Sequence, residues 1–141
     1  MNTARRSLHV LHVDDAPDIR ALLREVLEDE GYRVTSAASV QPVTTVRELA
    51  PDLIVHELLF AGRAPAGWDF LHALRQDPQV GQVPVIVCTA DRRVYTDPVW
   101  TRQAQGLGLR VMTKPFDLTD LLALLETALP PGDPELWARP A

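Results

Sequence analysis

The stretch whose reading decides the fold is Pro51–Phe60, PDLIVHELLF. Leu53-Ile54-Val55 is a short apolar run, and it leads into a carboxylate, Glu57, at the point where a buried strand would surface. Three other stretches share that form. LHVLHVDD, from Leu8 to Asp15, ends in two acids; VPVIVCTAD, from Val83 to Asp91, passes through Thr89; RVMTKPF, from Arg110 to Phe116, reaches Lys114-Pro115. Taken as parallel strands of one sheet, their C-terminal ends bring Asp14, Asp15, Glu57, Thr89 and Lys114 together. In open α/β sheets, ligands bind in the crevice outside those ends.

The segments between the strands carry helical periodicity. Ile19, Leu22, Leu23, Val26 and Leu27 form an i, i+3, i+4, i+7, i+8 stripe behind Pro17, with Gly31 as the stop. Tyr32–Ala37 reads as a strand. Ser39 is the expected cap of a second helix, which runs to about Ala50 on a weaker face of Val43, Val46 and Leu49. A Gly/Pro/Ala loop, Ala61–Gly67, precedes a short helix, Trp68–Arg75, that buries Phe70, Leu71 and Leu74. Ala90–Gly108 is the least regular part, with a long loop before a helix start at Asp97-Pro98. Asp117 caps a last helix with Leu118, Leu121, Leu122, Leu125 and Leu129 on one face, and Pro130 ends it. Strand and helix alternate five times. The expected fold is therefore a three-layer, doubly wound α/β domain with a five-stranded parallel sheet in the order 2-1-3-4-5. Residues 1–7 read as an N-terminal arm, 8–129 as the domain, and 130–141 as a Pro-rich tail carrying Leu136 and Trp137.

Composition excludes several classes. A net charge of −5 without a basic block argues against direct nucleic-acid binding, which needs phosphate neutralisation. No apolar run approaches the length of a membrane span, and the N-terminus MNTARRS lacks a signal-peptide core, so a cytoplasmic protein is expected. Cys88, the single cysteine, lies inside an apolar strand and reads as an inert small hydrophobe. Neither GxGxxG nor GxxxxGK[ST] occurs, which disfavours Rossmann and Walker-type nucleotide sites. Of 14 basic residues, Lys114 alone is a lysine. Either a compact point charge is required at that strand end, or the bias is chance.

Three carboxylates at one site repel one another unless a cation offsets them. Mg²⁺ and Lys114 are the two candidates, with Asp14, Asp15 and Glu57 as metal ligands. Thr89 adds a hydroxyl donor. Metal, hydroxyl and ammonium around one oxyanion is the chemistry of phosphoryl transfer.

The order VLHVDD, PDLIVHE, VIVCTA, TKPF resembles the receiver domain of two-component response regulators, a CheY-like, flavodoxin-like fold, over residues 8–129. The resemblance implies that Asp14 and Asp15 bind Mg²⁺ and that Thr89, Ala90 and Lys114 form the phosphoryl pocket, with a cis peptide before Pro115. Gly67 resembles the turn glycine before the third helix. The departures matter as much. The phosphoacceptor position holds Glu57 instead of aspartate, which extends the carboxylate by about 1.5 Å, and in-line attack tolerates little misplacement. Glu57 then either mimics the phosphorylated state, reaching towards Thr89 and Lys114, or disables the site as a structural salt bridge. Val111 stands where the family often has a switch aromatic, and the loop after Glu57 is about two residues longer than usual. Tyr95, Trp100 and Val111 mark the expected partner face, with self-packing of the aromatics as the alternative.

His12 and His56 lie unusually within neighbouring strands; they read as satisfied buried histidines or as a pH-sensitive pair. The sequence thus points to a non-enzymatic signalling module acting through a sensor histidine kinase or a downstream effector, with a homodimer open. The competing readings are a working receiver phosphorylated by a histidine kinase, and a small flavodoxin-like enzyme using Asp14, Glu57 and Lys114 as acid–base groups. The adjacency of Asp14 and Asp15 departs from the DxD spacing that a haloacid-dehalogenase-like phosphatase needs.

Overall fold

Five strands pair in parallel in the order β2-β1-β3-β4-β5 in a computed structural model that describes residues 8–129. The strands are β1 (His9–Val13), β2 (Arg33–Ala37), β3 (Leu53–His56), β4 (Val85–Thr89) and β5 (Arg110–Thr113). The helices are α1 (Pro17–Asp29), α2 (Val43–Leu49), α3 (Pro65–Arg75), α4 (Arg93–Thr96), α5 (Pro98–Gly106) and α6 (Leu118–Ala128). The expected arm at 1–7 and tail at 130–141, with Leu136 and Trp137, lie outside the described residues.

Successive strand residues feed opposite faces of the sheet. Leu11, Val13, Ile54, Leu58, Val85 and Val87 pack with Val46, Phe70, Leu71 and Leu74 on one side. Val10, Leu53, Val55, Ile86 and Cys88 pack with Leu23, Leu27, Leu121 and Leu125 on the other. The three central strands are buried along their whole length. Burial on both faces explains why they read as continuous apolar runs rather than as alternating patterns. Burying each large aliphatic side chain contributes roughly 1.5–3 kcal/mol.

The structure shifts several boundaries. α2 starts after Pro42, not Ser39, and Ala50 closes it at φ 46°. α3 begins at Pro65, so Gly67 lies in its first turn and not in a turn before it. A Cβ at Gly67 would meet the Leu58 carbonyl oxygen at 2.5 Å. Close approach of helix to backbone, not a positive φ, is what requires glycine there. The stretch expected as a long loop holds the single-turn α4; Asp97 then accepts from the N–H groups of Val99 and Trp100 and starts α5. On α1 only Leu23 and Leu27 are fully buried, and Leu22 is 41% exposed.

Candidate functional site

The ladder places the site. The last paired residues of the middle strands are Val13 with His56 and Ala37, and Thr89 with Thr113. Asp14, Glu57 and Lys114 each follow one of those positions. Their N–H groups extend the ladder, donating to Ala37 O at 3.0 Å, Val13 O at 2.9 Å and Thr89 O at 2.8 Å. Three side chains therefore leave the same edge of the sheet, fixed by backbone bonds.

Lys114 reaches across β4. Its ammonium donates to Asp14 Oδ2 at 2.6 Å and to Glu57 Oε1 at 3.0 Å. The other oxygens are also occupied. Asp14 Oδ1 accepts from Ala16 N–H at 2.9 Å. Glu57 Oε2 folds back to accept from Leu58 N–H at 2.6 Å and Leu59 N–H at 3.0 Å. Asp14 is 1% and Glu57 5% exposed, so water does little of this work. Burial works against the ammonium of Lys114, yet the hydrogen bonds to Asp14 and Glu57 outweigh it and raise its pKa above 10.5. The lysine is held as a cation.

The remaining expected residues sit near this triad without joining it. Asp15 is exposed, and its Oδ2 accepts from Ala61 N–H at 3.0 Å, pinning the loop after β3. Thr89 is fully buried, and its hydroxyl oxygen accepts from Asp91 N–H at 3.2 Å. Glu57 thus reaches Lys114 but not Thr89. Ala90 is exposed beside Lys114, where both line an apolar cavity of about 420 Å³ with Ile19, Leu22, Phe116 and Leu118. The Lys114–Pro115 peptide is cis.

Of the expected metal ligands, Asp14 and Glu57 share Lys114, while Asp15 turns to Ala61 N–H. Among the described residues no group of three or more His, Cys, Asp or Glu side chains is placed to hold an ion. The inner oxygens of Asp14 and Glu57 are already bonded to Lys114, and their other oxygens to backbone N–H groups.

His12 and His56 do not meet. His56 pairs in register with Val13, and His12 with Val55, so the two rings point to opposite faces of the sheet. His56 stacks on Phe70 at 4.7 Å, and its Nδ1 lies 2.6 Å from Glu57 O. His56 Nε2 and His12 Nδ1 have no hydrogen-bond partner among the described residues, which corrects the expectation of satisfied histidines. Burial lowers both pKa values to about 4.

On the expected partner face, Tyr95 is 53% exposed and donates to Val111 O at 3.1 Å. Its ring thus lies beside the strand position that lacks an aromatic. Trp100 is half-buried, edge-on to Trp68 at 5.4 Å, with the Arg93 guanidinium 4.3 Å above its ring. Arg93 is in turn held two-pronged by Asp91. The loop after Thr89 is therefore tied down by a carboxylate–guanidinium–indole stack. The acid–x–basic spacing of Asp91 and Arg93 was visible in the sequence, but the indole under it was not. The back-bonding of Glu57 to Leu58 and Leu59 was likewise hidden, because it uses main-chain donors.

The family model for the response regulator receiver domain matches residues 10–126. The chain belongs to the response regulator receiver family. It is 34% identical over 130 residues to the DNA-binding response regulator MtrA of Mycolicibacterium smegmatis, covering 92% of this chain and 53% of MtrA. The chain thus spans about half the length of that relative. It is 33% identical over 129 residues to an uncharacterised 14.6 kDa protein of Leptolyngbya boryana, covering 88% of this chain and 94% of that protein. Among solved structures, chemotaxis protein CheY4 of Vibrio cholerae is similar with a TM-score of 0.73 and 27% identity over 86% of this chain and 98% of CheY4. The five-stranded order 2-1-3-4-5 with helices on both faces is the CheY-like fold. No helix among the described residues is long and apolar enough to cross a membrane.

Proposed function

We propose that this receiver domain works without phosphoryl transfer, as a non-enzymatic module that signals through protein–protein contacts. In this reading Glu57 stands in the acceptor position and is the residue that closes the site. The supporting observation is that both of its oxygens are engaged: Oε1 with Lys114, and Oε2 with the N–H groups of Leu58 and Leu59. A nucleophilic carboxylate needs a free lone pair aimed at phosphorus. Glu57 is 5% exposed and accepts three hydrogen bonds, which hold its carboxylate in a fixed orientation and leave little of it open to an incoming phosphorus. The ammonium that would receive phosphoryl oxygens is already neutralised by two carboxylates. Glu57 bonds Lys114, while the Thr89 hydroxyl accepts from Asp91 N–H, so Glu57 takes up only the lysine half of a phosphoryl group's contacts.

The proposed partners are a sensor histidine kinase or a downstream effector, with Tyr95, Trp100 and Val111 on the contact face. A homodimer is the other candidate; the NtrC4 receiver domain, 25% identical with a TM-score of 0.69, is a dimer in its beryllofluoride-activated form. A net charge of −5 supports a protein partner over nucleic acid.

The test is intact mass after incubation with a small phosphodonor and Mg²⁺, run beside Glu57→Asp and Glu57→Gln. The expected result is no phosphoryl mass gain in the natural chain. A gain there that is lost in Glu57→Gln makes the protein a working receiver and overturns the proposal. A gain in Glu57→Asp alone assigns the block to one methylene.

A further inference from the structure

A cleft of about 670 Å³ lies at the end of the sheet opposite Lys114, where β4 and β5 begin. That volume falls in the range of small-ligand pockets. The guanidinium groups of Arg75 and Arg110 and the side chain of Gln82 share its lining with Pro84, Leu107 and Leu109. The lining is therefore mixed, with cationic and polar groups beside apolar ones.

Arg75 is fixed in place. Half-buried at the end of α3, it donates from Nε to Leu107 O at 2.7 Å, and from Nη1 to Gly81 O at 3.2 Å and Val83 O at 2.5 Å. Those carbonyls take up its Nε and Nη1 hydrogens, and the Nη2 group has no acceptor among the described residues. Exposed Arg110 donates from Nη2 to Thr127 O at 2.9 Å, which leaves its Nε and Nη1 groups without an acceptor among the described residues. Neither side chain pairs with a carboxylate among the described residues. Asp77, two residues beyond Arg75, is turned to Arg47 at 2.7 Å and to the N–H groups of Gln79 and Val80.

Helix capping accounts for part of this charge. Leu107 is the C-cap of α5, and Thr127 lies in the last turn of α6. A helix C-terminus carries about half a negative charge. Even the ends of α3, α5 and α6 together fall short of two full cations, so the cleft stays positive. Gly106 is a separate observation. Glycine is poor in a helix, yet Gly106 closes α5 without a positive φ to require it. A Cβ there would meet nothing within 4 Å. Neither packing nor backbone geometry accounts for the glycine. An open cleft does, because Gly106 lines it and any side chain would take up part of its space.

We infer that this cleft binds a small organic oxyanion, a phosphate monoester or a carboxylate with an apolar body. The Nη2 group of Arg75 and the fork of Arg110 receive the anionic oxygens, since a planar guanidinium matches the geometry of carboxylate and phosphate. Gln82 adds a neutral donor, and Pro84, Leu107 and Leu109 cover the apolar part. This does not depend on the reading of Glu57, because the cleft and the triad lie at opposite ends of the sheet.

The experiment follows the amide ¹H–¹⁵N spectrum of the full chain, at constant ionic strength, titrated with phenyl phosphate, with benzoate, and with benzyl alcohol as the neutral counterpart. At least one of the two anions should shift the amides of Gly81, Gln82, Leu107 and Leu109 saturably, and the tighter of them identifies the anion class. Benzyl alcohol should leave those amides unmoved. Arg110→Gln should weaken anion binding about tenfold, the loss of one charge-assisted contact. Gly106→Leu should weaken it too, by filling the cleft, with no loss of thermal stability. Arg75 is left intact because its bonds to three carbonyls hold the fold together. No saturable shift with either anion overturns the inference. So do equal shifts with benzyl alcohol, and unchanged binding in Arg110→Gln or Gly106→Leu. Shifts confined to Asp15 and Lys114 overturn it as well, because they place the anion at the triad.

Discussion

Replacing Lys114 by methionine keeps the stem and removes the charge, leaving Asp14 and Glu57 buried together without a cation. The structure sets the size of the effect. At 2.6 and 3.0 Å, each ion pair is worth roughly 6 kcal/mol of gross attraction at an effective dielectric of about 20. Most of that offsets the desolvation of three charged groups. Breaking a buried pair from one side typically costs about 3–5 kcal/mol, because a charge remains uncompensated. The lysine side chain is 16% exposed, which places the expected loss near the lower end of that range. Urea unfolding at neutral pH should show a lower midpoint with an unchanged slope. Adding Asp14→Asn and Glu57→Gln should recover most of the loss, since a neutral triad has no stranded charge. The pH dependence has a fixed sign. The pKa of Lys114 is raised in the fold, so its contribution is fully present below 10.5 and is lost only as pH rises through the higher folded value. The gap between natural chain and variant should stay flat up to about pH 10.5 and narrow as pH rises from there through the folded value. A loss below about 1 kcal/mol at neutral pH, in the range of exposed ion pairs, would refute the account of a dry, charge-balanced triad.

His12 and His56, with pKa values lowered to about 4 by burial, stay neutral in the fold while the unfolded chain protonates below 6.5. Stability should therefore be full above pH 6.5 and fall between 6.5 and 4, by on the order of 2 kcal/mol per histidine at pH 5; His56→Leu should flatten about half of that slope in denaturant titrations across pH. Gly67→Ala would press a Cβ against the Leu58 backbone at 2.5–3.1 Å, so a loss of about 1–3 kcal/mol is expected in thermal unfolding, whereas a neutral result would mean that α3 does not sit against that carbonyl. The Cys88 thiol, buried and with its pKa pushed up to about 12, should resist a thiol-labelling reagent in the native protein at pH 8 and react on unfolding in urea; fast native labelling would contradict its burial.

The sheet was legible because its central strands are buried on both faces. LHV, LIV and VIV are short apolar runs rich in β-branched residues, which favours strand, and the polar residue closing each run marks the edge where the site lies. Helix ends were less legible where the deciding contact is tertiary. Pro65 can open a helix or lie in a loop, and only the fit of Gly67 under the Leu58 carbonyl puts it in α3. Ser39 has the chemistry of a cap, yet the chain runs past it to Pro42 before turning helical. For the histidines, sequence adjacency of strands suggested a pair, whereas register decides the face: His56 lies opposite Val13, not His12. Trp100 carried no sign of its partners, because Arg93 and Trp68 reach it from two other helices.

The candidate site was legible as a list of residues and not as a network. Sequence order brings Asp14, Glu57 and Lys114 to one edge, and a metal between the acids was the natural expectation from charge counting. The geometry balances the charge differently. Glutamate's additional methylene lets Oε2 turn back to the N–H groups of Leu58 and Leu59 while Oε1 stays on Lys114. An aspartate at this position, shorter by about 1.5 Å, would have to give up one of those two contacts. Glutamate therefore holds the ammonium and caps its own loop at once, and both oxygens of Glu57 are engaged in that double role.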